Sequence, residues 1–287
     1  MLQAVLKIKS FFEKWRKLSL TLGLVLFLAI GFYSVRSFEI SSSDISYAPF
    51  LMLLFVAVPL QALCSSMSLA ISARIVDAKI KFPKAIVISS VAAFSEIFPL
   101  PAGGLIRGAA YINSGASLSD SIRIVIVSSL LTLLLTCAIA GIPLYIMQYQ
   151  MGLVVSGAGG IGVCVCILWF IFRAGMVAAI MVVGIRVIII IFGIFRLILA
   201  FSILSYPLSY DTATVFLMAA QLGNTIAVIP AGLGITELLS VLLGEMINIS
   251  PATAFIAVSI NRIAGLAVNG SITFVASISG LLTSKSS

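Results

Sequence analysis

The sequence predicts an all-α polytopic membrane protein: about six transmembrane helices plus two oppositely oriented re-entrant helical hairpins, arranged as an inverted repeat. Three observations predict it. Of 287 residues, 61% are hydrophobic and 9% charged, with a mean hydropathy of +1.25, a composition of chains solvated by lipid rather than water. The apolar runs are long and continuous, whereas a β-barrel would show short alternating segments. Two of these runs are also interrupted in the same way, at Leu100-Pro101-Ala102-Gly103-Gly104-Leu105-Ile106-Arg107 and at Ile229-Pro230-Ala231-Gly232-Leu233-Gly234-Ile235-Thr236-Glu237. The Pro-Ala-Gly triplets start 129 positions apart, and a charge follows each at nearly the same offset, Arg107 in one and Glu237 in the other. Irregular backbone at membrane depth is tolerated only where protein buries it or where it lines a watery cavity. Matching interruptions in two halves of a chain point to a transporter's binding site.

Taken in order, residues 1–17 carry Lys7, Lys9, Lys14, Arg16 and Lys17 against Glu13, a basic segment expected at the cytoplasmic membrane surface. Residues 18–35 form the first span; no small-x-small cleavage site follows, so it is expected as an anchor rather than a signal peptide. Residues 48–73 form the second span, followed by Arg74, Lys79, Lys81 and Lys84 with Asp77 as the one acid, which places that loop inside. Residues 85–100, apolar except for Glu96, and residues 103–112 are each too short to cross a hydrocarbon core of about 30 Å, which takes about 20 helical residues. They are expected to enter from the inside and return there, with residues 113–120 as the polar exit. Residues 122–147 then span outward and residues 148–152 turn.

Residues 153–172 form the fourth span. Gly157, Gly159, Gly160 and Gly162 near its start are expected to let a neighbouring helix approach, because a phosphate cradle would need them between a strand and a helix. Arg173 and Arg186 are expected to mark the inside, with the apolar stretch 174–185 between them either interfacial or part of a span. Residues 187–206 form the fifth span, with Arg196 near its middle. Residues 212–229 descend to Pro230, residues 233–247 return, and residues 251–282 form the last span. The units 48–147 and 187–282 are thus both span, hairpin, span, and start from opposite sides. Leu118, Ser119 and Ser128 match Ile249, Ser250 and Ser259 at the same internal spacing, Asn261-Arg262 standing where the first unit has Leu130-Leu131.

The whole chain, 1–287, is expected as a single integral membrane domain of the cytoplasmic (inner) membrane with both termini cytoplasmic. No polar stretch is large enough for a nucleotide-binding domain, so ATP use would need a partner. The net charge of +8 follows the positive-inside rule and implies no nucleic acid. Histidine is absent, which removes the commonest general base and metal ligand. Cys164 and Cys166, two apart, project from nearly opposite faces of a helix. No cofactor or metal is expected, and Glu96 and Glu237 are the only buried acids on offer for catalysis, so the chain is not expected to be an enzyme.

Pro230-Ala231-Gly232-Leu233-Gly234-x-x-Glu237, with Arg262 in the next span, resembles the signature of the lysylphosphatidylglycerol synthase transmembrane family, and Pro101-Ala102-Gly103-Gly104-x-x-Arg107 resembles its first motif. The resemblance covers nearly the whole membrane region. It departs at Leu131, where the family often carries arginine. The family includes the flippase half of bacterial aminoacyl-phosphatidylglycerol synthases and stand-alone membrane proteins. It implies movement of an anionic phospholipid, or of a lipid-linked (polyprenyl-phosphate-type) substrate, across the bilayer by alternating access. Lipid aminoacylation is not expected, for want of a transferase segment after Leu282.

A charge at the bilayer centre costs roughly 2.5–3.5 kcal/mol on insertion scales and usually faces a cavity or a partner. Glu96 and Arg107 lie five residues before and six after Pro101; Asn224 and Glu237 lie six before and seven after Pro230. Each pair is expected on facing arms, and Arg262 is the nearest cation in sequence for Glu237. The expected substrate-binding set is therefore Glu96, Pro101, Gly103, Gly104, Arg107 and Asn224, with Pro230, Gly232, Gly234, Glu237, Asn261 and Arg262 from the second unit. The expected partners are membrane lipids with anionic head groups, with a homo-oligomer or a partner enzyme also open. Rival functions are an intramembrane enzyme acting on a lipid head group and an accessory subunit of a lipid- or glycan-processing complex.

Overall fold

The computed structural model describes residues 46–96, 102–225 and 234–279. The predicted first span, the tips Pro101, Pro230 and Gly232, and the chain beyond 279 lie outside the described residues. All described elements are helices: α1 (Tyr47–Ile75), α2 (Phe82–Ser95), α3 (Ala102–Ile112), α4 (Leu118–Ile146), α5 (Met151–Ala174), α6 (Met176–Ile203), α7 (Tyr210–Thr225), α8 (Ile235–Met246) and α9 (Pro251–Ile278). Five of them, α1, α4, α5, α6 and α9, are long and apolar enough to cross a membrane, which makes this an all-helical integral membrane protein.

Local sequence explains most boundaries. Residues Leu53–Ala57 of α1 open into a π-helical turn just before Pro59. A proline ring has no N–H to donate and crowds the carbonyl four residues back, and a wider turn relieves both. Pro83 sits in the first turn of α2, where its missing N–H costs nothing. Ser117 caps α4 by accepting the Asp120 N–H at 3.0 Å, and Ser250 caps α9 by accepting the Thr253 N–H at 3.1 Å.

Two further boundaries differ from the sequence reading. The fifth span starts at Met176, not at residue 187, so Arg186 lies inside α6 rather than in a loop. Only Gly175, at φ +85°, separates α5 from α6; glycine adopts that backbone conformation without steric cost. The apolar stretch 174–185 is thereby resolved as the first turns of a long helix.

Helix α1 packs on α2, α6 and α9; α2 on α3 and α9; α3 on α4; α4 on α6 and α7; α6 on α7 and α9; and α8 on both α7 and α9. Exchanging α1–α4 with α6–α9 in chain order keeps these neighbour pairs except α6 with α9, whose counterpart, α1 with α4, is not among them. Helix α5 stands outside this exchange, packed on α4 and α6. Contacts between loops sort the ends of the bundle. The Lys79 N–H donates to the Ser114 carbonyl at 3.2 Å, so the chain enters α2 and leaves α3 at one end. Asp120 and Arg173 pair at 3.0 Å near that same end of α4. At the other end the Tyr149 hydroxyl donates to the Met246 carbonyl, and Leu144 of α4 clusters with Val215 and Met218 of α7 and Leu243 of α8. The α2–α3 pair thus opens at the start of α4, and the α7–α8 pair at its finish.

Helices α4 and α5 touch through small residues. A Cβ on Gly152 would stand 2.3 Å from the Tyr145 nitrogen, and one on Gly159 would stand 2.6 Å from the Ala138 nitrogen. Ser156, between them, donates to the Ala138 carbonyl at 2.9 Å. Gly157 and Gly160 meet nothing within 4 Å, so half of the predicted glycine cluster makes the close approach and half does not. Gly159→Val should destabilise the protein by about 1–3 kcal/mol or more through overpacking against backbone. Gly157→Ala should be neutral or should stabilise by up to about 1 kcal/mol through helix propensity. Thermal unfolding of the two variants side by side checks the assignment.

Candidate functional site

Residues of α1, α2, α3, α4, α6, α7 and α9 line a cavity of about 660 Å³, within the usual range for a ligand pocket. Its position follows from the helix ends. Glu96 closes α2, Asn224 and Thr225 close α7, and all three line the cavity. Gly103 and Gly104 of α3 line it beside Glu96. Gly103 is where the arms α2 and α3 meet: a Cβ there would stand 2.8 Å from Glu96 Oε1 and 3.0 Å from the Ala92 carbonyl oxygen. Gly223 has the same role between α7 and α8, since its Cβ would strike Thr236. Gly104 is in ordinary contact with Val125, at 3.5 Å.

Three arginines face the cavity: Arg107 from α3, and Arg186 and Arg196 from α6. One carboxylate, Glu96, faces them. It pairs loosely with Arg107 at 3.9 Å, with the two side chains 46% and 30% exposed, consistent with a space wide enough for solvent or ligand between them. Arg186 interacts electrostatically with Arg107 and with the phenol of Tyr111, and its buried Nε has no hydrogen-bond partner. A buried guanidinium N–H without an acceptor is uncommon, because the desolvation of a charged donor goes unreturned.

Arg196 is held by neutral groups. Its Nε donates to Asn261 Oδ1 at 3.0 Å, its Nη2 to the Asn261 carbonyl at 2.8 Å, and its Nη1 to Gln61 Oε1. Gly265 makes room for it, as a Cβ there would lie 2.9 Å from Nη2. Arg196 thus ties α6 to α1 and α9, and among the described residues no carboxylate forms an ion pair with it.

The second predicted motif is placed differently. Glu237, fully buried, accepts from the Gly234 N–H at 2.8 Å and from Arg262 Nη1. The first bond closes the N-terminus of α8 as half of a capping box; the second ties α8 to α9. Neither Glu237 nor Arg262 lines the cavity. Asn224 is exposed and lines the cavity. The structure therefore brings Glu96, Gly103, Gly104, Arg107 and Asn224 together around one space. It sets Gly234, Glu237 and Arg262 in a buried pair beside it, and makes Asn261 the clamp on Arg196.

Sequence reasoning left Arg186 out of the site, along with Gln61, Tyr111, Gln221 and Asn269, all of which line the cavity. Arg186 carries a signal, an arginine beside an apolar run, but run length alone reads it as a helix boundary. The polar, uncharged residues carry no comparable cost in lipid and so no comparable signal. Among the described residues no cluster of His, Cys, Asp and Glu stands ready to hold a metal ion. No protein-family model and no curated protein sequence matches this chain.

Proposed function

We propose that the protein moves an anionic phospholipid, or a lipid carrying its head group through a phosphate, across the bilayer, and that the cavity holds the phosphate. One observation carries the reading. Among the described residues four arginines lie within the helical bundle, Arg107, Arg186, Arg196 and Arg262, against two carboxylates, Glu96 and Glu237. Unneutralised charge in a low-dielectric interior is costly, and an anionic ligand between Arg107 and Arg186 offsets it. Guanidinium groups suit this because their planar N–H fork matches phosphate oxygens.

The arrangement of the bundle supports transport over simple binding. Helices α2, α3, α7 and α8, of 14, 11, 16 and 12 residues, are shorter than the roughly 20 residues a span needs. The two pairs open at opposite ends of α4, and all but one of the neighbour relations survive exchange of the two halves. These features support two oppositely oriented re-entrant hairpins in an inverted repeat, the design in which one half rocks against the other around a central site. The likeness to the lysylphosphatidylglycerol synthase transmembrane family belongs to the same proposal, as does placement in a cytoplasmic membrane.

Reconstitution into vesicles of defined lipid tests it. With fluorescent phosphatidylglycerol in both leaflets, the protein should speed its exposure to a membrane-impermeant quencher, and Arg107→Ala should slow that exposure at least about tenfold through loss of a charged hydrogen bond. Chemical conversion of the lipid without movement would make the protein an enzyme. Neither movement nor conversion would leave the accessory-subunit reading.

A further inference from the structure

The cavity is chemically divided along α6. We infer that its substrate carries a neutral, polyhydroxylated head group, a sugar or polyol attached through phosphate, and that this head group is not aminoacylated. The inference rests on the phosphate reading above and adds the class of group on its far side.

Arg186 stands at one end, with Arg107 and Tyr111. Arg196 is ten residues further along the same helix, about 15 Å at about 1.5 Å per residue, and its Nε, Nη1 and Nη2 each already donate to Asn261 or Gln61. Around Arg196 the chemistry changes. Gln61 from α1, Gln221 and Asn224 from α7, and Asn269 from α9 also line the cavity. A carboxamide offers donor and acceptor side by side, which matches a hydroxyl, itself both donor and acceptor.

The bonds already made fix what two of these groups offer. Gln61 accepts from Arg196 through Oε1, which leaves its NH₂ as the group available to a ligand. Asn269 donates Nδ2–H to the Gly265 carbonyl at 2.8 Å, which leaves its oxygen as an acceptor. Donors and acceptors thus come from separate helices, an arrangement that suits hydroxyls, each of which donates and accepts. An ammonium group needs acceptors alone and an anionic partner. The one carboxylate lining the cavity, Glu96, already stands beside Arg107, and three arginines would repel the newcomer.

The test compares affinities of the purified full chain in detergent for dioctanoyl forms of phosphatidic acid, phosphatidylglycerol, phosphatidylinositol and lysyl-phosphatidylglycerol. At least one polyol lipid should bind about tenfold or more tighter than phosphatidic acid, the worth of one or two added hydrogen bonds, and lysyl-phosphatidylglycerol should bind more weakly than phosphatidylglycerol. The double variant Gln221→Ala/Asn224→Ala should bring the polyol-to-phosphatidate ratio toward one. A folding defect lowers both affinities, so the ratio, read on a single preparation, separates the two effects. Equal binding of phosphatidic acid and both polyol lipids, or a ratio that the double variant does not move, overturns the inference and leaves the phosphate reading standing. Tightest binding of the lysyl lipid overturns the exclusion of amines. Failure of all four lipids to bind overturns the phosphate reading itself. Glucose 1-phosphate should compete weakly; competition as strong as the lipid's would reassign the cavity to a soluble sugar phosphate and overturn the lipid substrate.

Discussion

Arg262→Met should destabilise the protein by about 3–5 kcal/mol, the usual cost of leaving one member of a buried ion pair without its partner. Glu237 is fully buried and accepts from Arg262 and from the Gly234 N–H. Removing Arg262 strands a carboxylate that has no water to turn to. Removing the acid should cost less. Arg262 is partly exposed, at 18%, and also acts on Glu96, so Glu237→Gln leaves the arginine near a second carboxylate and keeps an oxygen able to accept from Gly234. The double variant Glu237→Gln/Arg262→Met should lie closer to the parent than Arg262→Met does, because both charges have gone. Thermal unfolding of the four proteins in one detergent gives the cycle. Equal losses for the two single variants would mean that Glu237 has another route to neutralisation, and the pair would then not be the clamp between α8 and α9.

Arg186→Gln should move stability and binding in opposite directions. The arginine sits near Arg107, and its Nε is buried without a partner. An unneutralised cation of this kind weakens the fold, so its neutral replacement should leave thermal stability equal or higher. The same change removes a charge-assisted contact to the ligand phosphate, worth about 1.5–3 kcal/mol; affinity for phosphatidic acid should fall roughly 10- to 150-fold. A structural arginine would behave the other way, with stability lost and binding unaffected once the protein is folded. The gap between the two outcomes is wide enough that thermal unfolding and one binding isotherm decide it. Arg196→Gln makes a useful contrast. That residue holds Gln61 and Asn261, so its loss should also loosen the packing of α6 on α1 and α9.

Much of the hairpin chemistry could be read from residue order, because it depends on short spacings. Glu96 and Arg107 flank one proline closely enough that two helical arms must bring them near each other, and they pair across the α2–α3 turn. Glu237 and Arg262 pair as well, since the next span packs on α8. The Gly234 N–H to Glu237 bond is a three-residue device visible in any sequence that places an acid at the third helical position. Asn224 lines the cavity, whereas Glu237 is buried and does not; counting residues from Pro230 gives depth along an arm but not rotation about the helix axis.

Sequence alone determined the membrane class and the approximate places of the five long helices within the described residues. These follow from composition, from run length and from proline and glycine, which act on their own neighbours. It did not determine which charges share a space. Arg186 and Arg196 lie on one helix, Arg107 on another and Gln61 on a third, and no local rule relates them. Their convergence depends on how α6 is rotated between α1, α7 and α9. That rotation is set by close contacts such as the Cβ-free surface of Gly265 against Arg196 and of Gly193 against Leu217 and Gln61. Tertiary packing also turned Arg186 from an apparent helix boundary into a lining residue. A cation inside an apolar helix is tolerable once neighbouring helices surround it with a polar cavity, and only the assembled bundle supplies that cavity.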